Sequence, residues 1–173
     1  INYCQEFLAE NVDINFSLDA YFKLNNITKA PFSSYVQFDD YTIFCGSPER
    51  FIKREGDKLL SQPIKGTAKR NPVKVQDELL KEQLKSDPKE RAENVMIVDL
   101  VRNDLSKIAT KNSVSVDELC GIYSFETVHQ MMSTVSCELK ERTSFTDVLR
   151  ATFPMGSMTG APKMSAMQLI EEY

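Results

Sequence analysis

A single lysine, Lys65, stands between Pro63-Ile64 and Gly66-Thr67 in the run QPIKGT. Its apolar neighbours can strip water from the side chain, and desolvation frees a lysine amine for nucleophilic attack. Gly66 lets the backbone turn sharply or pass close to a ligand. The same residues also suit an exposed lysine in a β-turn. Glu49, in SPERF, follows the end of an apolar run with Pro48 fixing the backbone before it. It reads either as a general acid or as a solvated turn carboxylate.

Three further features carry chemical potential. Glu93 lies in the otherwise apolar stretch AENVMIVDL, with Glu90 about one helical turn earlier. Inward-facing carboxylates need a partner or a cation, and hard oxygens suit Mg²⁺ completed by substrate oxygens. On a wet face the same glutamates would pair with Lys89 or Arg91. The run GSMTGAPK, 156–163, combines two glycines, two hydroxyls and a helix start, which together resemble an anion cradle. It does not meet the P-loop pattern, and a plain helix-start loop is the alternative. His129 is the only histidine; it suits either a structural role in a strand or donation to an anion.

These side chains need a scaffold, and the hydrophobic pattern supplies one. Residues 17–25 predict a short helix with Ser17 as N-cap. Short β-like runs follow at 33–38, 41–46, 50–54 and 58–64, broken by Asp39-Asp40 and Glu55-Gly56-Asp57, which predicts an antiparallel meander. From 75 to 85 the period becomes helical, and Pro88 opens a longer helix with a wide apolar stripe of Ala92, Val95, Met96, Val98, Leu100, Val101, Leu105 and Ile108. Asp99, Arg102, Asn103 and Asp104 on it read as caps and ion pairs. Residues 113–118, 122–128 and 127–140 return to β character. Thr143 or Ser144 caps a helix through Arg150, and a glycine-rich loop, 153–163, leads into a last helix. This mixture predicts an α+β fold, without an evident linker, in one domain.

The bulk composition fits that reading. The chain has 173 residues, 42% hydrophobic and 27% charged, with net charge −4. That is enough for a real core, and it gives nucleic-acid binding no electrostatic support. No stretch approaches the roughly 20 apolar residues of a membrane span. The four cysteines, Cys4, Cys45, Cys120 and Cys137, form no C-x-x-C pair. They read as reduced, partly buried thiols of a cytoplasmic protein, and a lone histidine makes zinc an unsuitable guest.

Taken together and in this order, SPERF, QPIKGTAKR, RAENVMIVDLVRNDL, TVHQMMSTV and FPMGSMTGAPKMSAM resemble the chorismate-utilising enzymes, over residues 41–173. The segment NYCQEF near the start looks like the family stretch before its antiparallel β-sandwich core, which helices flank. Within that family, members resembling anthranilate, isochorismate and salicylate synthases carry alanine where this chain has Lys65. Aminodeoxychorismate synthases of the common bacterial type carry lysine. GTAKR departs from the commoner G-T-R-P-R.

The resemblance implies amination of chorismate at C4. Lys65 would be the nucleophile and Glu49 the acid for the leaving hydroxyl. Gly66, Thr67, His129, Ser157, Thr159 and Gly160 would bind substrate, and Glu93 would hold Mg²⁺ with Glu90 behind it. Ammonia would come from a glutamine amidotransferase subunit. Other chorismate chemistry, such as anthranilate formation, and a non-catalytic binding role are the alternatives. The resemblance also implies a partial catalytic domain over 1–173, inactive or nearly so by itself, because a further Mg²⁺ glutamate and a tyrosine and arginine for the substrate carboxylates lie elsewhere in family members.

Overall fold

The computed structural model describes Asp13 and residues 16–172; NYCQEF and Cys4 lie outside the described residues. The chain divides between Arg50 and Phe51 into two compact units.

The smaller unit packs one helix on one hairpin. Helix α1 (Phe16–Thr28) begins a residue earlier than predicted, and Ser17 is not its cap. The Phe16 amide donates to the Asp13 carbonyl at 2.9 Å, while the Ser17 hydroxyl meets the Tyr35 hydroxyl at 3.0 Å. Strands β1 (Phe32–Gln37) and β2 (Thr42–Ser47) pair antiparallel around Asp39-Asp40, with Tyr35 opposite Phe44. Tyr21 of α1 packs its ring on both, with centroids 5.5 and 6.4 Å away. Gly46 permits this approach, because a Cβ there would stand 2.7 Å from the Thr28 hydroxyl.

The larger unit is built on strand β7 (Val128–Glu138), most of whose residues are buried. β3 (Arg50–Glu55) and β4 (Lys58–Gln62) form the predicted hairpin through Gly56-Asp57. The next stretch differs from expectation. QPIKGT does not turn but continues as β5 (Ile64–Lys69), so β4 and β5 pair in succession with β7, from Lys58↔Glu138 to Lys69↔Val128. Pro63 lacks an N–H but still contributes a carbonyl, which accepts from the Ser133 amide at 3.1 Å. Strand β6 (Ser115–Ser124) also pairs antiparallel with β7, from Ser115↔Ser136 to Ser124↔His129.

Helices α2 (Lys74–Ser86) and α3 (Pro88–Ser106) cover this sheet. Pro88 does open α3, and the Asp87 carboxylate caps it by accepting from the amides of Lys89 at 2.9 Å and Glu90 at 3.0 Å. We expect Asp87→Ala to cost about 1 kcal/mol, read as a lower urea midpoint with an unchanged slope. The stripe of α3 is rotated from the one predicted. Ala92, Val95 and Met96 are exposed, while Asn94, Ile97, Val98, Val101, Asp104 and Leu105 are buried at spacings of three and four. Ile97, Val98, Val101 and Leu105 form the main core with Leu59, Val135 and Cys137 of the sheet and Val148 and Ala151 of α4 (Phe145–Thr152). Of the two caps proposed for α4, Ser144 holds the place, in a capping box with Asp147.

The fold is therefore α+β with antiparallel sheets. The described cysteines are free thiols; burial, with the Glu138 charge adding to it, pushes the Cys137 thiol up to about 11. No helix among the described residues is long and apolar enough to cross a membrane.

Candidate active site

Lys65 owes its setting to an irregularity in the ladder. Ile64 pairs with Met132, but the next pair is Thr67 with Gln130. Lys65 and Gly66 therefore stand opposite Met131 alone, which is a β-bulge. Bulges bend a strand and re-aim a side chain, and they are frequent beside active sites. Gly66 takes φ +95, where a side chain would be strained, and a Cβ there would sit 3.2 Å from both Glu90 and Leu84. The glycine thus serves a close approach of strand to helix, bringing the Lys65 segment against Glu90. Lys65 is half-buried and Thr67 is exposed beyond the bulge.

Helix α3 reaches the bulge with a second residue. Asn94, 1% exposed, donates its side-chain amide to the Lys65 carbonyl at 3.5 Å and to the Met131 carbonyl at 3.3 Å. Its carbonyl oxygen accepts from the Ser133 hydroxyl. Asn94 belongs to no motif that marks it as functional in the sequence. Its signal is the spacing to Ile97, Val98 and Val101, which places a polar group on the buried face. Glu93, beside it, is partly exposed and pairs with Lys89 at 3.9 Å. Among the described residues no three His, Cys, Asp or Glu side chains converge to hold a metal on their own. Two carboxylates one turn apart still match Mg²⁺, which commonly takes one or two and fills its shell with water and substrate.

His129 occupies the interior of the scaffold. It is 1% exposed, with Nε2 at 3.0 Å from the Asp77 carboxylate and Nδ1 at 2.8 Å from the Ser124 hydroxyl. A carboxylate only accepts, so Nε2 carries the hydrogen, and on a neutral ring Nδ1 accepts from Ser124. Both ring nitrogens are therefore engaged by protein. Asp77 is clamped further by Arg70, whose Nε donates to both carboxylate oxygens at 3.0 and 2.9 Å, and by the Asn71 amide at 2.8 Å. This cluster ties α2 to β5 and β7 behind the lysine.

Arg70 first, then the Asn71 amide and His129, hold the Asp77 carboxyl well below its ordinary value of 3.8, against the opposing effect of burial. A depressed carboxyl stabilises the fold above its unfolded value, and that stabilisation is lost as pH falls through the lower folded value. We expect the urea midpoint to fall as pH drops below about 4. Asp77→Asn should be less stable at pH 7 and should flatten that acid limb; an unchanged limb would mean other carboxylates dominate it.

Glu49 belongs to the smaller unit. It is half-buried at the bend after β2, where the Ser47 hydroxyl donates to its carbonyl at 3.2 Å and Arg50 covers the Phe32 ring at 5.1 Å. A loop was predicted at 153–163; the structure forms a short helix, α5 (Gly156–Thr159), inside it. Gly156 abuts α3 so tightly that a Cβ would stand 2.4 Å from Leu100. Ser157 is half-buried on this turn, Thr159 is buried, and Gly160 ends it at φ +89.

The lysine that follows opens α6 (Lys163–Glu172) and is committed to structure. Lys163 is 12% exposed; its ammonium binds the buried Asp104 carboxylate and donates to the Thr152 carbonyl at 3.2 Å. Lys107 reaches the same carboxylate at 2.8 Å. Asp104 thus makes the ion pairs expected of it, as do Asp99 and Arg102 at 3.1 Å. A groove of about 540 Å³ lies alongside, between α3 and the start of α6, lined by Met96, Leu100, Asn103, Pro162 and Met164 among others; Lys65 and Glu93 are not part of it.

Comparison with known proteins agrees with this architecture. The model of the chorismate binding enzyme family matches residues 1–173. Aminodeoxychorismate synthase component 1 of Klebsiella aerogenes is 46% identical over 173 residues, covering 99% of this chain and 38% of that protein. The protein of the same name from Escherichia coli K12 is 42% identical over 168 residues, covering 95% and 37%. Among solved structures, anthranilate synthase component I from Streptococcus pneumoniae TIGR4 superposes with a TM-score of 0.78 at 33% identity, covering 90% of this chain and 34% of that one. The chain thus spans well under half the length of these relatives, and over its whole length it belongs to the chorismate-binding enzyme family.

Proposed function

We propose that this chain is the lysine-bearing part of an aminodeoxychorismate synthase component 1, which aminates chorismate at C4 to give 4-amino-4-deoxychorismate for p-aminobenzoate and folate synthesis. The observation that carries the reading is Lys65, half-buried in a β-bulge whose glycine neighbour lies against Glu90. The relatives of that name, at 46% and 42% identity, support it.

The chemistry follows from the residue types. The free amine of Lys65 adds to ring carbon C2, the ring double bonds shift, and the C4 hydroxyl departs. Hydroxide is a poor leaving group, so Glu49 gives that oxygen a proton and it leaves as water. Ammonia then adds at C4, the double bonds shift back, and the C2–N bond to Lys65 breaks. Two displacements place nitrogen where oxygen left, which a single attack at C4 makes difficult. Glu93, backed by Glu90, would hold Mg²⁺, which when bound neutralises substrate carboxylate charge. Ser157, Thr159 and Gly160 would take part in seating substrate, with Gly66 and Thr67 flanking the nucleophile. His129, through Asp77, would keep β7 and α2 in register behind it. The ammonia would come from a glutamine amidotransferase subunit, and the cytoplasm is the fitting compartment for such a pathway.

The test is product identity. The full-length protein is incubated with chorismate, Mg²⁺ and ammonium, and the products are separated against 2-amino and 4-amino standards by mass spectrometry. The 4-amino compound supports the reading. The 2-amino compound or anthranilate would make the protein an anthranilate synthase instead, and a folded protein giving neither would favour a non-catalytic role. The 173-residue chain assayed alone should give little or no product.

A further inference from the structure

We infer that Asn94 is a positioning residue that sets the placement of Lys65 by bridging the two strands at the bulge; the inference rests on the reading of Lys65 as the nucleophile. A bulge interrupts the ladder and leaves backbone groups that pairing would otherwise satisfy. Here the interruption falls on Lys65 and Gly66 against Met131. The Asn94 amide donates to the carbonyls on both sides of it, Lys65 on β5 at 3.5 Å and Met131 on β7 at 3.3 Å. Its own orientation is fixed from the other end, because its carbonyl oxygen accepts from Ser133 on β7. An asparagine amide offers two donors and one acceptor group in one plane, which matches this set; neither aspartate nor leucine, of similar shape, supplies the donors.

The position of Asn94 along its helix gives the contact its consequence. It is adjacent to Glu93 and one turn beyond Glu90, so one rigid helix presents the carboxylates and grips the strand of the nucleophile. The amide therefore fixes the spacing between Lys65 and those carboxylates. A nucleophile displaced by about 1 Å loses on the order of 100-fold in rate.

The experiment compares Asn94→Asp, which keeps the shape and loses the donors, with Val98→Ala, which makes a core defect on the same helix and leaves the bridge untouched. In the full-length protein supplied with ammonium, Asn94→Asp should lower kcat about 100-fold with KM for chorismate within about 3-fold. Val98→Ala should keep kcat within about 3-fold. Hydrogen exchange on the full-length protein gives a readout independent of activity: amides 65–67 should exchange at least tenfold faster in Asn94→Asp and within about threefold of the wild-type rate in Val98→Ala. A folded Asn94→Asp with wild-type kcat and exchange would overturn the proposal, as would equal losses in both variants, which would mark a general core defect. Should Asn94→Asp not fold, wild-type NMR decides: the Asn94 side-chain amide protons should show cross-peaks to the backbone protons of both Gly66 and Met131, and absence of either set rejects the bridge. A full-length protein that makes no 4-amino product but shows the exchange pattern would fail the functional reading while leaving the bridge intact.

Discussion

Lys65→Ala should abolish formation of 4-amino-4-deoxychorismate in the full-length protein, by roughly 10⁴-fold or more, while the fold survives. The side chain is half-buried and lies in a bulge outside the regular ladder, so its loss opens no large core cavity. The measurement pairs steady-state assays with a thermal melt. A variant that is folded and inactive supports a covalent role. A variant that retains wild-type turnover would remove Lys65 from the chemistry and leave direct displacement by ammonia. A folded variant that now makes the 2-amino isomer would show that this one side chain selects the ring position.

The largest effect on stability is expected at Asp104. Its carboxylate is buried, and removing it leaves the nearly buried Lys163 ammonium with only a carbonyl for company. Breaking such a pair from one side costs about 3 kcal/mol or more. For a chain of this size that corresponds to a drop of roughly 6–12 °C in Tm. Asp99→Ala is the control, because its pair with Arg102 is exposed and such pairs contribute less than about 1 kcal/mol. Asp104→Leu combined with Lys163→Met should recover part of the loss, since an apolar pair leaves no uncompensated charge. Equal melting of Asp104→Ala and Asp99→Ala would mean the buried pair contributes no more than the surface one.

Much of the scaffold was legible in the sequence because its signals are local. Pro88 announces α3, Ser144 with Asp147 announces α4, and Asp39-Asp40 and Gly56-Asp57 mark two hairpins. What escaped depends on contacts between distant segments. Pro63 and Gly66 punctuate like a turn, yet pairing with β7 carries the strand through them, since tertiary pairing outweighs local preference. On α3 the reading followed the apolar Val95 and Met96, whereas the buried face includes Asn94 and Asp104, polar groups made tolerable by partners far along the chain. For the candidate site, residue identities pointed to Lys65, Glu49 and Glu93 with Glu90 behind it; of these the structure sets the Lys65–Gly66 segment against Glu90, while Glu93 pairs with Lys89 and Glu49 belongs to the other unit. His129 was noticed as a lone histidine, but its Asp77 and Ser124 partners come from α2 and β6 and have no local signature.

The bulge at Lys65 also bears on how such a protein changes over generations. A residue within a regular ladder is tied to the residue across from it, so replacing one usually demands a change in the other. Position 65 has no one-to-one counterpart, because it shares Met131 with Gly66 where pairing passes from Ile64↔Met132 to Thr67↔Gln130. Its side chain can be exchanged in a single mutational step without a compensating one. The scaffold therefore separates inheritance of the fold from choice of chemistry: selection can try an alanine or a lysine at this point while the sheet around it stays as it was.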